Sequence, residues 1–159
     1  MFTISVLKEF AFFKGFNDEQ LDKLSSLASE ENFLAGTHMY KNGSVAKSLY
    51  LIKEGKIVLY IDNYMGPHKP PMQVTVDMIS SGEAMGWSAV VQPYIYTLSA
   101  LCIDDAKTIV LDSVGLRKLM DEDSALGFKI MQAVSKTIAN RLTHTRIILV
   151  GERSESVVT

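Results

Sequence analysis

One cysteine, one tryptophan and three histidines in 159 residues leave little material for several kinds of chemistry. Cys102 stands alone, so it forms no intrachain disulfide and cannot by itself hold zinc or an iron–sulfur cluster; it reads as a small core residue in a reducing compartment. His38, His68 and His144 fall on a strand-like run, a proline-rich stretch and a long helical pattern, without the close spacing of a zinc site. No metal and no cofactor are expected; His144 as a haem ligand has no second feature behind it. An excess of positive charge is also missing: 16 Lys and Arg stand against 18 Asp and Glu, for a formal net charge of -2. Such a balance offers no general attraction to a polyanion, and DNA binding by this chain alone is not expected. The longest purely apolar run near the C-terminus, Ile147 to Val150, is far too short to cross a bilayer, and the N-terminus lacks a basic-then-apolar leader. A soluble cytoplasmic protein without membrane attachment is the expectation. The chain also lacks a glycine-rich P-loop, a G-x-S-x-G elbow and a histidine beside a nucleophile motif, so an enzyme is not expected.

What is present suits a single globular domain. Hydrophobic residues make up 47% and charged residues 21%, enough apolar material to offset the ordering entropy of one core. From Ile4 to Phe16 the apolar side chains Val6, Leu7, Phe10, Phe12, Phe13 and Phe16 are dense enough to demand burial, as a docking helix and turn. Asn17 followed by Gln20 three residues later has the form of a capping box, and Leu21, Leu24, Leu27 and Ala28 continue as a helical stripe. From Asn32 onward short β-prone runs take over: Phe33-Leu34, His38 to Tyr40, Leu49 to Ile52, Ile57 to Ile61 and Val74 to Ile79. Glu54-Gly55-Lys56 joins two of these as a hairpin, and Asn63 to Pro71 reads as an exposed loop. Strands at about Thr97 to Ile103 and Lys107 to Leu111 follow. The period then becomes helical from Ser113 to Met120, capped by Asp112. From Asp123 one long helix is expected, carrying Leu126, Ile130, Met131, Val134, Ile138, Leu142, Ile148 and Leu149 at spacings of three and four. The acidic clusters Asp104-Asp105 and Asp121 to Asp123 sit at turns and helix starts, where they complement dipoles or face water.

The order helix, β-barrel, long helix, together with particular residues, resembles the cyclic-nucleotide-binding domain of the catabolite activator protein and of the regulatory subunits of cyclic-nucleotide-dependent kinases. The residues that carry the likeness are Phe13-Lys14-Gly15-Phe16 with Gln20-Leu21 and Leu24, Ala35-Gly36, Gly43, Leu49 to Ile52, Glu54-Gly55 and the strand Ile57 to Tyr60. The resemblance implies an α+β, mainly β domain over residues 1–150. Its centre is an antiparallel double-stranded β-helix, a jelly-roll-like β-roll at about 31–111. N-terminal helices and a C-terminal helix at about 123–150 flank it, leaving a polar frayed tail at 151–159.

The same resemblance locates a phosphate-binding cassette at Gly82 to Ser99, with Ile79, Gly82 and Gly86 as its opening strand and turn and Ser88-Ala89-Val90 as the short helix whose amides face a cyclic phosphate. Two positions depart from the family pattern. The glutamate that accepts from the ribose hydroxyl is replaced by Trp87, and the arginine that pairs with the phosphate falls on Tyr96, followed by Thr97, Leu98 and Ser99. Charge-assisted bonds contribute roughly 1.5–3 kcal/mol each, so losing both costs about two to four orders of magnitude in affinity. Tight binding of cAMP or cGMP is not expected. The candidate ligand-binding set is Gly86, Trp87, Ser88, Ala89, Tyr96, Thr97, Leu98 and Ser99, joined by Thr145 on the long helix, the resemblance's base-contacting threonine, and by Arg146 as a replacement cation or a solvated side chain. Trp87 and Tyr96 either line an altered pocket for another small or nucleotide-like ligand or fill the cavity a nucleotide would occupy; the two readings require opposite cavity volumes.

Met131, Val134, Ile138, Thr145 and Ile148 follow a near-heptad seam with Leu142 beside it. A homodimer through this helix is expected, the alternatives being burial of the seam on its own domain or docking on another protein. The expected function is a non-catalytic regulatory or sensory module with a non-standard ligand or none. The alternatives are a ligand-free dimerisation or docking scaffold, and the sensor fragment of a longer transcription regulator, since too few residues follow Val150 for a helix-turn-helix.

Overall fold

The computed structural model describes residues 3–158, with side chains through residue 151. Four helices and eight strands follow in chain order: α1 (Ile4–Leu7), α2 (Asp18–Ser25), β1 (Ala28–Phe33), β2 (His38–Tyr40), β3 (Ser48–Glu54), β4 (Lys56–Asn63), β5 (Met72–Ser80), β6 (Ala84–Met85), β7 (Ser99–Cys102), β8 (Ala106–Asp112), α3 (Ser113–Glu122) and α4 (Ser124–Val158). Two 3₁₀ turns, Ala11–Phe13 and Trp87–Val90, complete the set. The strands form two four-stranded antiparallel sheets in the orders β1-β8-β3-β6 and β2-β7-β4-β5, the expected β-roll. Leu49 to Ile52 in β3 and Thr108 to Leu111 in β8 are buried without interruption, which is why both strands read as continuous apolar runs rather than as an alternation.

Local chemistry accounts for the boundaries. The Asn17 side chain accepts from the Gln20 N–H (2.8 Å) while the Gln20 side chain accepts from the Asn17 N–H (3.0 Å), closing the capping box of α2. Asp112 accepts from the Gly115 N–H at 2.8 Å and starts α3, as its position in the sequence implies. Gly55 turns β3 into β4 with φ +118°, and a Cβ there would lie 2.8 Å from Ala106 Cα, so the hairpin needs glycine twice over. Two boundaries differ from expectation. β1 begins at Ala28, earlier than Phe33, because Ser29 to Asn32 pair with β8 while their own side chains stay exposed and carry no apolar alternation. α4 continues through the segment read as a tail, to Val158.

The first half of α4 belongs to the core: Leu126, Ile130 and Val134 are fully buried in one cluster with Leu7, Leu21 and Leu24. Gly127 lets α4 approach α3, since a Cβ there would meet Met120 O at 2.8 Å. The Lys23 ammonium donates to Asp123 at 2.8 Å and ties α2 to the α3–α4 corner. Beyond Arg141 the helix leaves the domain, and Leu142 through Val150 are all exposed. No described helix is long and apolar enough to cross a membrane.

Candidate functional site

The segment expected to form the cassette, Gly82 to Ser99, contains β6, and its tight turn follows where β6 ends. Gly86 takes φ +84°, and a Cβ there would press to 2.9 Å from Ser48 O, so only glycine lets the chain turn this tightly against β3. The 3₁₀ turn Trp87–Val90 follows with Ser88, Ala89 and Val90 buried, and the Ala89 N–H donates to Gly86 O at 3.0 Å. From α3, Arg117 donates to Ala89 O at 2.8 Å and holds its guanidinium 4.0 Å from the centre of the Tyr94 ring. One arginine thus ties Ala89 and Tyr94, two points within this segment, to α3.

Tyr96 occupies its interior. Its ring is 4% exposed and stacks on Tyr40 with centroids 3.6 Å apart and planes 11° from parallel. The hydroxyl donates to Ser48 O at 2.6 Å and accepts from the Ser48 N–H at 3.2 Å, so β3 holds it in both hydrogen-bonding directions. Burial pushes the pKa values of Tyr96 and Tyr40 well above the ordinary phenol range, with Coulombic interaction from neighbouring tyrosines adding to it; both phenols are neutral. What remains between Tyr40, Leu59, Trp87, Tyr96, Leu98 and Arg141 is a cavity of about 20 Å³. That is room for about one water, against the roughly 300–1,000 Å³ of sites that enclose small organic ligands.

The cation of the site comes from α4. Arg141, its side chain 15% exposed, bonds Asp77 of β5 through Nη1 (3.1 Å) and Ala84 O of β6 through Nη2 (2.9 Å). Its Nε is buried with no hydrogen-bond partner among the described residues.

The family model described as the cyclic nucleotide-binding domain matches residues 30–123, more than half of the chain. The chain belongs to the cyclic nucleotide-binding domain family. Among solved structures, a Geobacter metallireducens protein of the cyclic nucleotide-binding type shares 28% identity at a TM-score of 0.77, over 89% of this chain and 99% of that one. The Thermus thermophilus catabolite activator protein shares 20% identity at a TM-score of 0.68, over 87% of this chain and 61% of that one. The regulatory subunit of a cAMP-independent protein kinase A from Trypanosoma brucei shares 18% identity at a TM-score of 0.69, over 84% of this chain and 45% of that one. The last two likenesses concern the fold, and in each the chain spans only part of the other protein. No curated protein matches in sequence.

Within this cyclic nucleotide-binding domain, Gly86, Trp87, Ser88, Tyr96, Thr97 and Leu98 converge on the small cavity. Ala89 and Ser99 are buried beside it, the Ser99 Oγ accepting from the Asn42 N–H at 2.9 Å. Trp87 and Leu98 are half-buried and Thr97 is exposed. The two α4 candidates lie elsewhere: Thr145 is exposed and turns its hydroxyl onto Arg141 O of its own helix (2.9 Å), and Arg146 is exposed and lines neither this cavity nor the groove beside α4. Sequence reasoning missed Tyr40, Asp77 and the inward role of Arg141. The signal for Arg141 was present, because the buried series Leu126, Ile130, Val134 and Ile138 steps next to position 141. Tyr40 carried none, since its stacking partner lies 56 positions along the chain in another part of the β-roll.

Proposed function

We propose that this domain is a non-catalytic regulatory or sensory module whose cassette is closed to cyclic nucleotides by its own tyrosines, and whose output is the position of α4. The observation that carries the reading is the Tyr40–Tyr96 stack, pinned at Ser48 and leaving about 20 Å³ where a nucleotide needs more than ten times as much. A cyclic nucleotide entering would have to break the stack and both Ser48 bonds, and would then meet an indole and a phenol where the family pattern supplies opposite charges. The Trypanosoma brucei subunit offers a parallel. It is described as cAMP-independent, and a triple variant in which one threonine became arginine was obtained with cAMP bound.

Two copies of the chain are proposed to associate through α4. Val134 and Ile138, assigned to a seam by their spacing, are turned into the domain's own core. The large apolar side chains of α4 left exposed through residue 151 are Phe128, Met131, Leu142, Ile147, Ile148, Leu149 and Val150, each between 37% and 65% exposed. An apolar helix end of this size gains by pairing with a second copy of itself. The domain is then a helix-presenting module.

The test is calorimetric titration with cAMP and cGMP, on the native chain and on Trp87→Glu with Tyr96→Arg. The native chain is expected to bind no tighter than about 1 mM, and the double variant, with charges restored on an intact Gly86 turn, to gain about tenfold or more. Micromolar binding by the native chain would overturn the reading.

A further inference from the structure

Arg141 faces two spaces. Its other side borders a groove of about 500 Å³ between α4, the 3₁₀ turn Ala11–Phe13 and the approach to β6, within the size range of small-molecule sites. Four cationic side chains line it, Lys14, Lys129, Lys136 and Arg141, against two carboxylates, Asp77 and Glu83. Asp77 is taken by Arg141 at 3.1 Å, with His144 Nδ1 3.8 Å away. The Lys129 ammonium is held by Gly15 O (2.6 Å) and Gln20 Oε1 (3.0 Å). Lys14 and Lys136 enter no ion pair among the described residues, and they stand on opposite walls, one from the N-terminal segment and one from α4. The buried ring of Phe12, the half-buried ring of Phe16 and the Ala133 methyl give the groove an apolar flank.

We infer that this groove is the domain's ligand seat, and that it takes a small organic dianion, a phosphate monoester or a dicarboxylate, with its charge between Lys14 and Lys136 and its carbon body against Phe12, Phe16 and Ala133. The inference rests on the closed-cassette reading for its regulatory meaning: a sensor whose usual pocket is full of tyrosine receives its signal elsewhere. Lys14 and Lys136 line one groove from two different elements without an ion pair among the described residues, and a dianion seated there gains charge-assisted bonds to them. Because one wall is α4 and the other is the N-terminal segment, a guest that prefers one spacing of the walls biases the helix that carries Arg141 and the exposed apolar end.

The experiment is an amide-resolved NMR titration of the full chain with phenyl phosphate and with phthalate, using benzamide as the uncharged control, each to about 10 mM. At least one dianion is expected to saturate with a dissociation constant of about 1 mM or tighter, shifting the amides of Lys14 to Phe16 and Lys136 to Asn140. Which arm responds separates phosphate from carboxylate chemistry. Lys14→Gln with Lys136→Gln, both exposed positions, is expected to weaken that binding about tenfold or more with the rest of the spectrum unchanged. Absence of saturation by either dianion, equal shifts with benzamide, or undiminished affinity in the double variant would overturn the inference. A parallel titration with cAMP keeps the two readings apart: saturating shifts at Tyr96 to Ser99 contradict the closed cassette and leave the groove result standing.

Discussion

Two buried side chains set the character of the site, and each makes a distinct demand on its surroundings. Tyr96 is a phenol kept neutral by burial, as is Tyr40 beneath it. A phenol whose folded pKa lies above its unfolded value of about 10 lends stability that is complete below that pH and lost as the pH rises through the folded pKa. In an alkaline titration, therefore, the phenolate absorbance of Tyr40 and Tyr96 is expected only together with loss of the far-ultraviolet dichroism. Comparison with Tyr96→Phe checks this: the amplitude that titrates before unfolding should be the same in both chains, and a smaller early amplitude in the variant would show that Tyr96 is open to water. Arg141 makes the opposite demand, because a guanidinium and the Asp77 carboxylate at 15% and 16% exposure must keep each other. Arg141→Met alone leaves Asp77 with only the Met78 N–H (2.8 Å) and the longer His144 contact (3.8 Å) and is expected to cost about 3 kcal/mol in chemical denaturation, whereas Arg141→Met with Asp77→Leu should recover most of it. A double variant as unstable as the single one would mean that the pair is not what fastens α4 to β5.

At the scale of elements, α4 is two helices in one. Its first half is fastened by Leu126, Ile130 and Val134, and the second carries its apolar side chains into solvent. Leu142→Glu with Leu149→Glu touches only the exposed half, so it is expected to convert a dimer to a monomer in analytical ultracentrifugation without lowering the thermal midpoint of the monomer fold. An unchanged sedimentation coefficient would remove α4 from the interface. Elements with a local chemical signature were readable in the sequence: the Asn17–Gln20 capping box, the Asp112 cap, the Gly55 hairpin and the apolar runs of β3 and β4. β1 was readable only in part, because Ser29 to Asn32 are held by backbone pairing with β8 and have no alternation of their own. The seam on α4 was assigned by spacing alone, and spacing does not say which of two apolar stripes faces inward.

For the molecule as a whole, the proposed function turns on two hollows, the small cavity beside Tyr96 and the groove beside α4. The family framework is intact, with two sheets, a short turn held by Arg117 and a long C-terminal helix; the cavity beside Tyr96 measures about 20 Å³ and the groove beside α4 about 500 Å³. The aromatic rings at 87 and 96, where the resemblance implies charges, were visible in the sequence. Whether the rings line a pocket or fill one was not, because the answer depends on Tyr40 and Ser48, which the fold brings to Tyr96 from distant positions. The most direct measurement is a crystal structure of the native chain grown with a large excess of cAMP. The account expects the Tyr40–Tyr96 stack and both Ser48 bonds unchanged and no nucleotide inside the cassette; Tyr96 swung outward with a phosphate seated against the Trp87–Val90 turn would contradict it.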